Sequence, residues 1–377
     1  MIDVIVVGAG PAGGIIAKIL SEKGHSVLVI DKKKVVGKPV QCGEALSKFA
    51  LKNTNLKANK EWIKLKFKGI KIFVPNGKYF LSLVKGYCID RSKFDKWLID
   101  QAIYKGCQIL LNHRVIRIKR KGDLWYIKAN EKVLNSKILV GADGYESNIA
   151  KWLGILKRRD FIYAIEYKFK GNYPENFLSI FMNSKFKYGY AWLFPREDEC
   201  NIGIGGKGNL KKKLDKFCRS IGINPEERKS IISGVIPKDY QLSCFVKDAA
   251  LIVGDAAGLT NPIFGGGIHA ALFSGKIAAE TIHRALNSGE MQILSDYNRI
   301  LKRSPFCNPI LRKAGEIFYS LSNEEWNFVG EVFENKNYSE VSYFEIFKKF
   351  LAHPKFFLKL RKFYILKKAI DLSQKLI

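Results

Sequence analysis

Two hydrophobic periods alternate along the chain, and the switches between them divide it. It opens on "IDVIVV" (2–7), an unbroken apolar run of strand length. Next come the glycine-rich "GAGPAGG", an Ala/Ile/Leu stretch at helical spacing that stops at Gly24, and a second apolar run ending at Asp31. That succession predicts strand, turn, helix and strand, the βαβ unit of a parallel sheet. The segment "IKLKFKGIKIFVPNGKYFLSL" (63–83) instead alternates lysine with apolar residues. Its period of two predicts a half-exposed sheet, and "PNG" predicts a hairpin turn. A helical stripe of Phe94, Leu98 and Ala102 follows, then a strand through Val115. From Ser288 onward the chain reads as mostly helical, ending in a stripe of Leu358, Ile365, Ala369, Leu372 and Leu376 that packs on its own domain.

Bulk composition narrows the class. A length of 377 residues exceeds what one hydrophobic core organises, so two interleaved domains plus appended structure are expected. With 47% hydrophobic and 12% aromatic residues, the chain is globular. Its 64 Lys and Arg against 35 Asp and Glu give a formal charge of +29, which attracts polyanions: nucleic acid, anionic headgroups or phosphate-bearing substrates. The same count also describes a solvated lysine-rich surface. Seven widely spaced cysteines with no CxxC pair indicate neither a zinc site nor a disulfide framework. A strand at 2–7 leaves no room for a secretory signal, and no apolar run approaches the ~20 residues of a membrane span. The expected compartment is the cytosol, with peripheral membrane contact open.

Each glycine of the first turn has a physical task. Gly8 permits the tight turn, Gly10 lets a pyrophosphate approach the backbone, and Gly13 lets the helix lie against the strand. The open N–H groups and positive dipole of the helix start then hold the phosphates. Asp31, ending the second strand, can accept hydrogen bonds from a ribose diol and disfavours a 2′-phosphate. The bound nucleotide is therefore expected to be FAD or NAD. After Asp31, "VVGKPVQCGEALSKF" is a loop in which Cys42 precedes a helix expected from Ala45 to Phe49. A thiol near a helix start can have a lowered pKa, making Cys42 a reactive group or a proton donor. Arg91 opens the next helix, where a guanidinium could clamp phosphate.

A second glycine-rich stretch, "GDAAGLTNPIFGGGIHAALFSG" (254–275), follows a buried strand expected to end at Asp255. Gly265 to Gly267 permit close backbone approach, and the helix starting at Ile268 can stabilise negative charge. "GIGGKG" (203–208) fits the dinucleotide pattern by letter, but no second strand with a terminal acid follows it, so a strand-end turn is expected there.

The opening turn, "DRSKFDKWL", "VGADGYESNIAKWLG" and "GDAAG" occur in an order that resembles the FAD-dependent family built like p-hydroxybenzoate hydroxylase. Two further motifs narrow it. "KPVQCGEALS" and "YGYAWLFPREDECNIGIGG" resemble the cysteine loop and the YxWxFP–GxGG segment of geranylgeranyl reductases. The resemblance implies an FAD-binding Rossmann-like domain (1–60, 88–154 and 245–287) interleaved with an antiparallel-sheet substrate domain (61–87 and 155–244), and a C-terminal helical region (288–377). It implies FAD contacts at Gly8, Gly10, Ala12, Gly13, Asp31, Cys42, Gly43, Arg91, Val115, Asp255, Gly267 and Ile268. Tyr190, Trp192 and Phe194 alternate along one strand and would line an apolar slot for an isoprenoid chain, with Tyr188 continuing the same face. Cys42 is the candidate proton donor, a bound water or a tyrosine being the alternatives.

The implied activity is flavin-dependent saturation of C=C bonds in a prenyl lipid such as digeranylgeranylglycerophospholipid, with electrons from an external donor, NADPH or a ferredoxin-like protein. Two other readings compete with it. One is an FAD-dependent monooxygenase of the same fold acting on an aromatic or isoprenoid substrate, which oxygen consumption would distinguish. The other is a basic nucleic-acid-binding protein, for which no recognition motif is present. The same region of the C-terminal half contains Cys307, which would approach Cys42 if it folded over the flavin.

Overall fold

The computed structural model describes all residues except 157–159, 172, 174, 239–241, 358 and 375–377. Leu358 and Leu376 of the C-terminal stripe thus lie outside the described residues. An eight-stranded sheet carries the nucleotide-type motifs. Five of its strands run parallel in the order Ala250–Ile252, Lys132–Gly141, Ile2–Val7, Val27–Ile30 and Gln108–Leu110. The hairpin of Val115–Lys121 and Leu124–Ala129 continues antiparallel from Lys132–Gly141, and Val246–Lys247 closes the other edge. The apolar runs at 4–7, 27–30 and 250–252 are buried throughout, as strands covered on both faces must be.

Helices Pro11–Glu22 and Ile268–Ser288 cross with almost no side chain between them. A Cβ at Gly275 would stand 2.5 Å from Ile15 and 2.8 Å from the Ala12 carbonyl, and one at Gly254 would stand 3.1 Å from the Ala12 Cβ. Small residues at 12, 254 and 275 are therefore what allows the first and last cofactor-type segments to meet.

The second sheet has seven strands, ordered Ser230–Pro237, Phe161–Lys170, Glu199–Gly206, Ala191–Pro195, Phe177–Phe181, Gly69–Phe73 and Tyr79–Ser82. Its pairs are antiparallel except Phe177–Phe181 with Gly69–Phe73, which run parallel. The "PNG" turn joins Gly69–Phe73 to Tyr79–Ser82, as the alternation predicts. A three-stranded sheet of Ala45–Ser47, Gly86–Ile89 and Ile63–Phe67 lies at the junction of the two units.

Three local expectations are resolved, two of them by correction. Ala45–Ser47 is a strand paired with Gly86–Cys88, and the helix begins only at Lys48, capped by the Ser47 hydroxyl. "GIGGKG" is a strand end, paired through Gly206 on one side and through Ile204 on the other, that bends at Lys207 and Gly208, as expected. Tyr188 has a φ of 63°, is exposed and precedes the Ala191–Pro195 strand, so it does not continue that strand's face.

The C-terminal helices Pro309–Ser320, Asn323–Phe333, Tyr343–Leu351 and Leu360–Gln374 pack against the outer part of the seven-stranded sheet. Two of them start on capping boxes, Ser322 with Glu325 and Ser342 with Glu345. Helix Asn323–Phe333 reaches the hairpin closely at Gly330, where a Cβ would stand 2.4 Å from Val74. The segment after it covers the edge strand: Leu81 N–H donates to the Lys336 carbonyl and Tyr338 N–H to the Leu81 carbonyl.

Candidate active site

The carboxyl ends of the central parallel strands all open on one edge, the usual ligand crevice of such a sheet. Gly8 follows Val7, Asp31 follows Ile30, Asp143 and Gly144 follow Gly141, and Gly254 and Asp255 follow Ile252 within a few residues. At the first turn, Gly8 has a φ of 113°, and a Cβ at Gly13 would stand 1.8 Å from the Gly8 carbonyl oxygen. A Cβ at Gly10 would meet nothing within 4 Å, so the backbone there faces open space. The helix beginning at Pro11 has no side-chain cap and no acidic residue in its first turn, which leaves its N–H groups free for an anion. Asp31 fastens the turn: one carboxylate oxygen accepts Ala9 N–H at 2.7 Å, the other Lys33 N–H at 2.8 Å. Each oxygen keeps a lone pair for a further donor such as a ribose hydroxyl. Val115 is buried at the start of its strand beside this edge.

The second turn mirrors this chemistry. Asp255 lies in a short 3-10 turn after the strand, and its carboxylate oxygen stands 3.0 Å from where a Gly267 Cβ would be. Gly267 and Ile268 begin a helix that again lacks a side-chain cap and first-turn acids. Between the two turns, the Asp143 Oδ2 accepts Ile149 N–H, while its buried Oδ1 has no protein partner. Burial raises the Asp143 pKa. An orphaned buried acceptor, open space at Gly10 and two uncapped helix starts on one edge fit a dinucleotide cofactor.

The cysteine loop is held by a buried ionic cluster. Glu44 adopts a φ of 64° and is almost wholly buried. Its Oε1 accepts Arg91 N–H, while its Oε2 accepts Lys168 Nζ at 2.7 Å, Asn201 Nδ2 at 3.2 Å and an N–H of Arg196. The loop is thereby clamped to three positions of the seven-stranded sheet. Cys42 Sγ accepts Glu44 N–H at 3.2 Å. Burial pushes the Cys42 thiol pKa up, with the adjacent Arg91 opposing it, so the lowered pKa expected from a helix start is corrected: the residue after this loop begins a strand. The Arg91 guanidinium makes a bidentate pair with Asp95, both bonds 2.9 Å.

Tyr190, Trp192 and Phe194 do share a face, with successive ring centroids 6.1 and 6.2 Å apart. What they touch explains their order. The Tyr190 hydroxyl donates to the Phe264 carbonyl at 2.6 Å, in the loop before Gly265. Phe194 lies 3.3 Å from where a Gly43 Cβ would be. The strand thus bridges the glycine loop and the cysteine loop. Trp192 between them lies flat on Gly203, whose Cβ would come 2.2 Å from the indole, which is why a glycine strand follows the aromatic one. Trp192 Nε1 donates to Glu166 Oε2 at 2.9 Å. Glu166 is 3% exposed, and its Oε1 has no partner. Burial pushes its pKa up to about 8, so the carboxyl is neutral at pH 7.

An apolar hollow opens beyond this strand, between the seven-stranded sheet and the C-terminal helices. Ile70, Ile72 and Ile180 wall it on the sheet side, Trp326, Val329 and Phe350 on the helix side, and Phe264 of the glycine loop also lines it. Tyr190, Trp192 and Phe194 are not on its wall, so the apolar space lies one layer away from the slot they were expected to line. The C-terminal region is tied to the glycine loop directly: the Tyr319 hydroxyl donates to the Ile263 carbonyl at 2.7 Å, and a Cβ at Gly315 would stand 2.6 Å from the Pro262 carbonyl. Cys307 is buried in the main core and is not joined to Cys42 by a disulfide.

Sequence reasoning passed over Glu44, Glu166 and Phe264. Glu166 sits in "AIEYKFK", where a charge in an alternating strand reads as solvent-facing; its neighbour Lys168 points to the same covered face and was the available signal.

Residues 5–165 match the family model described as pyridine nucleotide-disulphide oxidoreductase. Over 92% of this chain and 94% of the relative, the sequence is 31% identical to the digeranylgeranylglycerophospholipid reductase of Picrophilus torridus. A geranylgeranyl bacteriochlorophyll reductase-like protein of Thermoplasma acidophilum superposes with a TM-score of 0.83 at 26% identity, covering 98% of each chain. The halogenase PltM, solved with phloroglucinol and FAD, shares the fold at a TM-score of 0.69 and 16% identity, over 88% of this chain and 79% of its own. With this near-full-length identity to a curated relative, the chain belongs to the digeranylgeranylglycerophospholipid reductase family.

Proposed function

We propose that the chain is an FAD-dependent reductase that saturates C=C bonds in the geranylgeranyl chains of a digeranylgeranylglycerophospholipid-type lipid. The observation that carries this reading is the apolar hollow that Phe264 helps to line. Its lining is hydrocarbon and aromatic apart from Ser82 and Lys367, the composition of an apolar ligand site. Such a space suits a long flexible hydrocarbon and gives no hold to a small polar aromatic.

Gly8, Gly10, Ala12, Gly13 and Asp31 would hold the nucleotide half of FAD, with Val115 beside it. Asp255, Gly267 and Ile268 would hold the redox half, with Gly43 and Cys42 on the opposite side. When bound, FAD supplies the hydride chemistry that no side chain can. The protein's own residues exclude water, hold the alkene and keep protons available. Two groups beside Gly43 are protonated at neutral pH, the Cys42 thiol and the Glu166 carboxyl, because burial penalises both anions. Trp192 keeps the Glu166 carboxyl in place, and Arg91 stands beside the Cys42 thiol. An external donor, NADPH or a ferredoxin-like protein, returns the electrons. A monooxygenase of the same fold is not favoured, since the relative matched over nearly the full length is a reductase.

The test is anaerobic. Dithionite-reduced protein is mixed with prenyl lipids and the products are weighed by mass spectrometry; two hydrogens gained per double bond are expected. Val329→Trp, which fills the hollow, should raise KM for C20 chains by at least about tenfold while short prenyl substrates still turn over. No mass gain with any prenyl substrate, or oxygen consumed in step with product, would overturn the reading.

A further inference from the structure

Helix Tyr343–Leu351 has two apolar faces, and only one is used by the fold. Ile346 and Phe350, four residues apart, point inward and wall the hollow, at 8% and 1% exposure. Phe344, Phe347 and Leu351, at i, i+3 and i+7, point outward at 64%, 39% and 54% exposure. The outward stripe continues onto neighbouring helices. Phe347 and Phe357 have ring centroids 6.5 Å apart, and Tyr343 and Tyr364 5.7 Å apart. Phe357 and Tyr364 are themselves exposed. Isolated exposed apolar residues are ordinary, but a contiguous set of six within 22 residues marks a surface that meets something.

Charge says what that partner is. Residues 342–377 contain nine Lys or Arg against two Asp or Glu. Lys348, Lys349, Arg361 and Lys368 are exposed and have no acidic partner among the described residues, and Lys348 Nζ lies 4.6 Å over the Phe344 ring. Aromatic and leucine side chains projecting from a basic surface have the chemistry of an interfacial lipid anchor: the rings enter the acyl boundary while ammonium groups stay at the phosphates. No helix of the described residues is long and apolar enough to cross a membrane, so this face would lie on a bilayer and not through it.

We infer that the face formed by Tyr343, Phe344, Phe347, Leu351, Phe357 and Tyr364, with its surrounding lysines, docks the protein on an anionic lipid bilayer. This rests on the proposed prenyl lipid substrate for its purpose, and it adds where that substrate enters. The docking face and the hollow share helices Tyr343–Leu351 and Leu360–Gln374 as a common wall, so a lipid tail leaving the bilayer has a single layer of helix to pass.

The full-length FAD-loaded protein is sedimented with vesicles of zwitterionic phospholipid alone and with vesicles containing anionic phospholipid. Wild type should partition onto the anionic vesicles, and high salt should weaken that binding. Phe344→Ser with Phe347→Ser and Leu351→Ser should lower partitioning by at least about tenfold while leaving the circular dichroism spectrum, flavin content and turnover of a water-soluble short prenyl substrate unchanged. Lys348→Gln with Lys349→Gln, Arg361→Gln and Lys368→Gln should remove the preference for anionic vesicles. Vesicle binding is read without turnover, so it stands or falls apart from the reductase assignment. Equal binding by wild type and the triple serine variant would overturn the inference. So would a wild type that ignores both vesicles but is an oligomer that the triple variant dissociates, which would assign the face to a second copy of the chain.

Discussion

The cofactor crevice and the apolar hollow are built by opposite means. In the crevice, specificity comes from what is missing: no Cβ at Gly8, Gly10, Gly13 or Gly267, no side-chain cap on either helix and an unfilled acceptor on Asp143. In the hollow it comes from large side chains held apart, phenylalanines and isoleucines contributed by strands near residue 70 and helices near residue 350. Backbone geometry tolerates almost no substitution, whereas a wall of flexible hydrocarbon can be redrawn one residue at a time. The Ala191–Pro195 strand, with Tyr190 just before it, stands between them and ties one to the other through Phe264 and Gly43.

The sharpest way to break this contrast is Gly13→Val. Its side chain would be driven into the Gly8 carbonyl, so a loss of more than about 3 kcal/mol and of bound flavin is expected, read by thermal unfolding and flavin absorbance. A variant that retains both would show the crevice to be as forgiving as the hollow. Gly203→Ala tests the bridging strand. It pushes Trp192 off its seat and away from Glu166, so flavin content should persist while single-turnover prenyl reduction falls by about 10²-fold or more, the cost of a misplaced constellation. Equal loss of flavin and turnover would mean the strand belongs to the crevice alone.

The mildest structural change is Glu166→Gln, which keeps an acceptor for Trp192. In the wild type the folded-state pKa of about 8 exceeds the ordinary carboxyl value of 4.5, so the folded protein holds the extra proton between those limits. The stabilisation from this group is complete below pH 4.5 and is lost as pH rises toward 8, at up to about 1.4 kcal/mol per pH unit. Denaturant unfolding across that window should show the slope in the wild type and its absence in the variant. Parallel curves would remove Glu166 from the set of neutral carboxyls.

The crevice was legible in the sequence because its requirements are local. A glycine that must turn, an acid that must end a strand and a helix that must start uncapped fall within a few residues of one another, as "VVGAGPAGG" and "FGGGI" do. The hollow was not legible, since Ile72 and Phe350 acquire a common purpose only after folding. Charges misled for a related reason. Glu44 and Glu166 look solvated in their local contexts, yet each is buried and takes its partner from a segment distant in sequence. The aromatic triplet was placed on one face correctly, but what that face touches is set by loops at 43 and 264, more than 50 residues away on either side.

The close crossing at Gly275, Ile15 and Ala12 has a consequence for how the chain is made. The helix that bears the first glycine turn is among the earliest segments to leave the ribosome, but the helix that covers it begins only at residue 268. Through roughly two-thirds of synthesis, Ile15 and its neighbours have no lasting partner on that side, and long-range contacts of this kind form slowly. Any nascent or truncated chain ending before residue 250 therefore carries that apolar helix face uncovered at its front.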